Sequence, residues 1–408
     1  MDVYDVVVVG GSANGAQAAR YAAKEGLSVL IFEEHKNIGL PEHCSGLFSY
    51  SGLEYLDAMP PDDIVFNHDI YGSRLIAPNG KMLTVKKRHR HALVADRGAY
   101  DRYLIDLARD SGAQLMQPFR VNDLKRKDGI VKVSASSKSG EKVEVNAKIV
   151  IDAEGIRGEI ARKLGMVGPP KESLVNAAQF FMRDLNNVDK ELVEVYQSQE
   201  FAPGFFGWVI PMSENSAKIG LGTMKKGASR ELERMIKNHP VLHQRTEGSE
   251  IYRRIAGRIP PTGPIKTTYS DNIMLVGDVA GQTKPTTGGG VILGGIGGKI
   301  AGEVAAEAIR AEDYSRKFLK RYQKRWRSEM SRNLWLQRRV RLYMNNLSDK
   351  QMNSFFNVLE KKGLLADIEK HGDVDDQGKL AIRLLLTLQL YPFYLRTFPS
   401  LMRALFGK

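Results

Sequence analysis

The stretch NIMLVGDVAGQTKPTTGGGVILGGIGG, residues 272–298, decides the fold. Asn272 to Val276 reads as a buried strand: a short apolar run with β-branched members, ended by a glycine turn. Asp278 follows at once, where a carboxylate at the C-terminal edge of a strand takes hydrogen bonds from ligand hydroxyls. Gly288, Gly289 and Gly290 then open a helix of small residues. The free N–H groups at such an N-terminus carry a partial positive charge and stabilise an anion placed there.

A second nucleotide-type motif lies at the start of the chain. Tyr4 to Val9 (YDVVVV) is a near-continuous apolar run, as expected of a central parallel strand. It leads into GGSANG, Gly10 to Gly15, and a helical pattern through Lys24. A strand from Ser28 to Phe32 ends in Glu33, where an acidic residue grips the ribose hydroxyls of a dinucleotide. Ser12 stands where the middle glycine of the fingerprint should let backbone approach a pyrophosphate; it is small, and its hydroxyl can reach phosphate. A βαβ unit without nucleotide would show the same strand and helix.

Two further elements lie between these motifs. Residues 95–115, ADRGAYDRYLIDLARDSGAQL, read as a turn and an amphipathic helix with Tyr103, Leu104 and Leu107 on one face. A strand from Lys148 to Ile151 then runs into DAEGIRGEIARKLG, with Asp152, Gly155 and Arg162 in order. Each element alone is ordinary, but four in this order are specific.

The order GGSANG…Glu33, ADRGAYDR, DAEG and VGDVAG…PTTGGG resembles the FAD-dependent fold of para-hydroxybenzoate-hydroxylase-like flavoproteins. Three stretches resemble the geranylgeranyl reductase branch of that group. They are PEHCSG (Pro41 to Gly46), FFGWVIPMSENSAKIGLG with its aromatic-x-Trp-x-x-Pro signature and GxG pair, and LSDKQMNSFFNVLEKKG (Leu347 to Gly363), similar to a helical element of archaeal members. The chain departs from the pattern at Ser12, at Gly158, where serine is usual, and at Val209–Ile210.

The resemblance implies an α/β protein: a Rossmann-like FAD-binding lobe, an inserted α+β substrate lobe with an antiparallel sheet, and a C-terminal helical region. The flavin lobe is expected over residues 1–60, 96–165 and 265–312, the substrate lobe over 61–95 and 166–264, and a basic, membrane-facing helical region over 313–408. FAD would be held by Gly10, Ser12, Asn14, Gly15, Glu33, Cys44, Ser45, Leu47, Arg97, Val121, Asp278, Gly289, Gly290 and Val291. Arg97, just before a Tyr100–Arg109 helix, would reach the phosphates or ribityl chain, as would Asp278. Val121, opening a short segment after a strand, would offer backbone groups to adenine. The 291 helix would face the N1–C2=O locus of a reduced flavin. Cys44, beside the isoalloxazine, could donate a proton, pack against the ring or act as a small hydrophobe. Phe206, Trp208 and Pro211 would line an apolar tunnel for substrate, or serve the sheet core.

The implied reaction is reduction of isolated C=C bonds in a geranylgeranyl chain, most simply that of a digeranylgeranylglycerophospholipid. The rivals are a flavin-dependent monooxygenase or halogenase on the same fold and a non-catalytic prenyl-lipid carrier. No second dinucleotide motif is visible, so the electron donor, reduced ferredoxin or NAD(P)H, stays open.

Composition fits this reading. At 408 residues the chain exceeds one ordinary domain. Cys44 is the sole cysteine, which excludes an intrachain disulfide and a cysteine-based metal cluster, and a cytoplasmic location is the default. The N-terminus enters a strand directly, leaving no room for a signal peptide. No apolar run approaches the roughly 20 residues that span a bilayer. From Ala301 onward 21 Lys and Arg face 12 Asp and Glu, which is +9 of the net +13. Residues 316–344 interleave basic side chains with Phe318, Leu319, Tyr322, Trp326, Leu334 and Trp335. Residues 380–407 are apolar and basic, with Leu385, Leu386, Leu390, Phe393 and Phe406. Together they suit a peripheral surface on anionic lipid at the inner face of the cell membrane, or helices packed on the flavin lobe. No recognised nucleic-acid module accompanies the charge, so nucleic acid is not an expected partner.

Overall fold

The computed structural model describes residues 2–361, 364–371 and 377–406. The last two residues of the Leu347–Gly363 element and residue 407 lie outside the described residues.

The apolar runs at the start of the chain form the middle of a parallel sheet. Strand Val3–Val9 lies between Val29–Phe32 and Lys142–Asp152, with Gln114–Met116 beyond the former and Ile273–Leu275 beyond the latter. All four side chains of Val29–Phe32 are buried, as expected of a strand covered on both faces. The N-terminal half of Lys142–Asp152 also pairs with an antiparallel hairpin, Arg120–Lys127 and Ile130–Ser136. Val121 is the second residue of Arg120–Lys127, which follows strand Gln114–Met116, and it pairs with Ala135.

Two helices cover one face of this sheet at backbone contact. Helix Ala13–Lys24 and helix Val291–Arg310 run parallel, and the meeting points repeat every four residues. A Cβ on Gly294 would lie 2.3 Å from the Asn14 side chain, on Gly298 2.7 Å from the Asn14 carbonyl oxygen, and on Gly302 2.6 Å from the Ala22 nitrogen. Three glycines four apart form one stripe of a helix, and here they admit the other backbone.

The second sheet has seven strands, in the order 250–259, 175–183, 217–223, 207–211, 192–196, 72–76 and 82–86. It is antiparallel except between Leu192–Tyr196 and Gly72–Ile76, which run parallel because 72–76 and 82–86 arrive as a hairpin from far upstream. A three-stranded sheet of Leu47–Ser49, Ala92–Ala95 and Val65–Ile70 lies between the two along the chain.

The C-terminal helices close the molecule. Helix Arg316–Asn345 sends Leu319, Tyr322, Trp326, Met330 and Leu334 into the same core as the parallel sheet. The Trp326 indole N–H donates to Thr268 Oγ1 at 3.1 Å, and the Tyr322 hydroxyl donates to the Leu275 carbonyl at 2.6 Å. Of the two readings open for residues 316–344, a lipid surface or helices packed on the nucleotide-type lobe, this is the packed one: the spacing of 3 and 4 residues between these side chains is a core stripe, and the arginines occupy the remaining faces. Farther on, Leu390 and Phe393 are likewise buried, packing with Leu83 and Val85 of the second sheet. Leu385, Leu386 and Phe406 are exposed.

The glycine stripe yields a first prediction. Gly298→Val must separate the two helices, and overpacking of this kind costs about 1–3 kcal/mol. Denaturant titration should show that loss, and a variant of unchanged stability would mean the helices have room to spare.

Candidate functional site

The sheet and the helix pair bring the ends of three sequence-distant segments together. The GGSANG loop leaves its strand at Gly10, with a left-handed φ of 99°, and a Cβ on Gly15 would lie 1.9 Å from the Gly10 carbonyl. Glu33 is buried beneath the loop; its Oε2 accepts the Gly11 N–H at 2.9 Å and its Oε1 accepts the His35 N–H at 2.8 Å. Ser12 faces a residue that motif reading did not single out. Its hydroxyl donates to Asp101 Oδ2 at 3.1 Å, and the Ala13 N–H donates to Asp101 Oδ1 at 3.1 Å. Asp101 thus satisfies free donors at the start of helix Ala13–Lys24. A polar residue one position after Tyr100 and three before Leu104, on a face otherwise apolar, was the available signal.

Arg97 is the first residue of helix Arg97–Asp110, one turn earlier than expected, so its guanidinium folds back on Asp101. Nε donates to Oδ1 at 3.0 Å and NH2 donates to Ser12 Oγ at 3.1 Å. Burial works against this charge, yet Asp101 and then Cys44, whose thiol neighbours the guanidinium, raise its proton affinity above the usual value. Asp278 completes the cluster. Its carboxyl is pushed up by burial, against a hydrogen bond from Thr283 Oγ1 at 2.8 Å and the attraction of Arg97. Oδ1 lies 2.9 Å from where a Gly290 Cβ would stand, so the carboxylate sits at the N-terminus of helix Val291–Arg310.

Asn14 wedges between Gly277 and Gly294, and its Oδ1 is buried without a hydrogen-bond partner. Gly289 accepts the Lys284 N–H with its carbonyl, which shapes the turn ahead of Val291, the first helical residue. Val121 lies apart from this cluster in sequence, and its side chain packs with Phe119 and Leu124.

The second sheet supplies an aromatic wall. Phe205 and Phe206 stack at 4.3 Å between ring centroids, and Phe206 meets Trp208 edge-on at 5.9 Å. The GxG pair is the floor beneath them: a Cβ on Gly220 would lie 2.5 Å from the Trp208 indole, and on Gly222 2.4 Å from the Phe205 ring. Trp208 Nε1–H donates to Gln179 Oε1 at 3.0 Å. Pro211 is buried, and its carbonyl accepts from Asn67. Phe205 reaches to 3.5 Å of a Cβ position on Gly288, so the wall abuts the GGG turn. The Cys44 loop docks on the same sheet through His43 Nδ1, 2.8 Å from the Ala256 carbonyl oxygen. Ser45 gives its carbonyl to Lys218 and Leu47 pairs with Val94, which anchors the loop on both sides.

Comparisons with known proteins agree with this geometry. The family model for FAD dependent oxidoreductases matches residues 5–167, and the model for the geranylgeranyl reductase catalytic domain matches residues 174–256. The chain is 34% identical over 361 residues to a digeranylgeranylglycerophospholipid reductase of Methanocaldococcus jannaschii, covering 88% of this chain and 91% of that protein. The crystal structure of a geranylgeranyl bacteriochlorophyll reductase-like protein from Thermoplasma acidophilum superposes with a TM-score of 0.86 at 25% identity, over 99% of this chain and 100% of the other. A flavin-dependent brominase, 17% identical with a TM-score of 0.72 over 94% of this chain and 98% of its own, shares the fold.

The residues fit a bound FAD: a glycine loop closed to side chains, a buried acid beneath it, and a buried guanidinium and carboxyl where two helix N-termini meet. Asp278→Ala should weaken FAD binding by roughly 1.5–3 kcal/mol, as expected for a charged hydrogen-bond acceptor. Titration of apoprotein with FAD, followed by flavin fluorescence, measures this; unchanged affinity would place Asp278 off the cofactor.

Proposed function

Since this chain belongs to the geranylgeranyl reductase family of FAD-dependent oxidoreductases, we propose that it saturates C=C bonds in the geranylgeranyl chains of archaeal membrane lipids such as digeranylgeranylglycerophospholipid. The observation that carries the reading is a thiol, Cys44, beside the Arg97 guanidinium, which in turn attracts Asp278 at the N-terminus of helix Val291–Arg310.

Bound FAD, reduced by reduced ferredoxin or NAD(P)H, would supply the hydride for one alkene carbon. The chain's residues do the rest. Gly10, Ser12, Asn14, Gly15, Glu33, Arg97, Asp278, Gly289, Gly290 and Val291 hold the cofactor, and Phe206 and Trp208, with Phe205, hold a prenyl segment and keep water from it. An isolated alkene has little polarity, so the second carbon needs a proton at the moment charge develops. Cys44 Sγ–H provides it, and the thiolate left behind is stabilised by the adjacent guanidinium of Arg97.

A lipid substrate must be met at its membrane. No helix among the described residues is long and apolar enough to cross one. The last helices instead expose Leu385, Leu386, Leu388, Leu395, Phe398 and Phe406 among the exposed arginines Arg383, Arg396 and Arg403. Apolar side chains ringed by positive charge suit the surface of an anionic bilayer. We place the membrane contact there, on residues 385–406.

Two outcomes are expected. Anaerobic incubation of the reduced protein with geranylgeranyl phospholipid should raise the lipid mass by two hydrogens per bond, seen by mass spectrometry; Cys44→Ser should slow that step with FAD binding intact. A requirement for oxygen, or no saturation at all, would overturn the reductase reading. Replacing Leu386, Leu388, Leu395 and Phe406 with serine should release the protein from anionic vesicles without loss of FAD absorbance. Each arginine at the surface adds about 1 kcal/mol, so wild-type binding should also weaken as salt rises. Unaltered vesicle binding by the variant would move the contact elsewhere.

A further inference from the structure

Helix Arg316–Asn345 carries a cation that neither the flavin locus nor the core stripe uses. Arg341 lies half-buried near its end, with the guanidinium carbon 5.2 Å from the centroid of the Phe205 ring. NH1 donates to the Pro261 carbonyl at 3.2 Å, and NH2 donates to the Gly204 carbonyl at 3.0 Å. Gly204 precedes the stacked pair Phe205 and Phe206. Pro261 follows strand Glu250–Ile259, whose Ile259 side chain lies 2.5 Å from where a Gly288 Cβ would stand. Arg341 is thus placed where the aromatic wall, the GGG turn and the C-terminal helices join.

The charge of Arg341 has no counterion. Arg20 and Arg245 are buried and Arg74 and Arg97 half-buried, and each of these four meets a carboxylate at 3.0 Å or less. Among the described residues no carboxylate pairs with Arg341, and burial alone pushes its proton affinity down, to about 10. A guanidinium presents five N–H groups in a planar fork, so two carbonyls leave three to spare. Carbonyl dipoles hold such a cation without neutralising it, whereas a phosphate would do both and match the fork.

Position selects the kind of anion. Arg339 and Tyr343, two residues to either side, face away from the wall. Arg339 NH1 donates to the Ala404 carbonyl at 2.9 Å, and the Tyr343 hydroxyl meets Thr397 Oγ1 at 2.6 Å. Those partners belong to the segment that exposes Leu395, Phe398 and Phe406. One helix diameter, about 10 Å, separates Arg341 from the face proposed to meet lipid. On its other side the apolar wall begins. An anion carrying a long apolar chain suits both neighbours, and a free polar anion suits neither.

We propose that Arg341 recognises the phosphate of a phospholipid whose prenyl chain lies along Phe205, Phe206 and Trp208. The site thereby selects phosphorylated over neutral prenyl lipids. That the chain is prenyl rests on the function proposed above; the anion site does not.

The test compares digeranylgeranylglyceryl phosphate with digeranylgeranylglycerol, each in neutral detergent, by calorimetric titration of the FAD-loaded protein. The wild type should prefer the phosphate by roughly tenfold to a hundredfold, as expected for charged hydrogen bonds. Arg341→Gln should lose that preference while binding the neutral lipid as before. Equal weakening towards both lipids would make Arg341 a brace for the Gly204 and Pro261 turns and overturn the proposal. A preference that survives in Arg341→Gln, or is absent from the wild type, overturns it too, the former by assigning the selection to the exposed arginines. If Arg341→Gln fails to fold, Arg341→Lys decides: it keeps the charge without the fork, so the preference should fall at least about threefold, and an unchanged one overturns the proposal. Glycerol 1-phosphate, the headgroup without its chains, should bind far more weakly, since chain burial supplies most of the affinity. Equal affinity would assign the site to a free phosphate ester and overturn its assignment to lipid. Saturation of C=C bonds is followed in parallel on the wild type. Phosphate preference without saturation would sink the reductase reading and leave this one standing, and saturation without preference would do the reverse.

Discussion

The parallel contact between helices Ala13–Lys24 and Val291–Arg310 is the constraint on which the site depends. Glycines at 294, 298 and 302 let the two backbones touch, and this sets both N-termini at the same end of the sheet. Two partial positive charges then point at one region. Three charged groups of the candidate site refer to that pair. Asp101 caps one N-terminus, Asp278 stands at the other, and Arg97 lies between the two carboxylates. A single added methyl group on this stripe would be felt at all of them.

The fold was legible because its signals are local. Buried parallel strands read as apolar runs, and glycine turns followed them at the places where the chain had to bend. The positions of Glu33 and Asp278 followed from the ends of those strands. Partnerships across the molecule were not legible. Nothing adjacent to Asp101 says that it meets Ser12, and nothing adjacent to Lys218 says that it holds the carbonyl of Ser45, because both contacts exist only after distant elements pack. The parallel pairing of 192–196 with 72–76 was hidden for the same reason.

The C-terminal helix shows a different kind of ambiguity. Aromatic and basic residues together suited either a lipid surface or a packed helix over 316–344, because composition carries no direction. Taken by helical position, Leu319, Tyr322, Trp326, Met330 and Leu334 fall on one stripe and the arginines on the rest. The same test separates Leu390 and Phe393, which pack inward, from Leu386 and Leu395, which do not. The GxG of the aromatic signature likewise acquired a cause only in three dimensions, as the space occupied by Trp208 and Phe205.

The glycine stripe also bears on the order in which the protein can be made. Asn14 packs against Gly294, and helix Val291–Arg310 is not yet synthesised when the first βαβ unit leaves the ribosome. At ~5–20 residues per second, residues 15 and 295 emerge on the order of tens of seconds apart. During that interval the Gly10–Gly15 loop has its strand but lacks half of its cradle, and the small-residue face of helix Ala13–Lys24 stays uncovered. A product ending before Gly294 would leave the Gly10–Gly15 loop without the helix that covers it here.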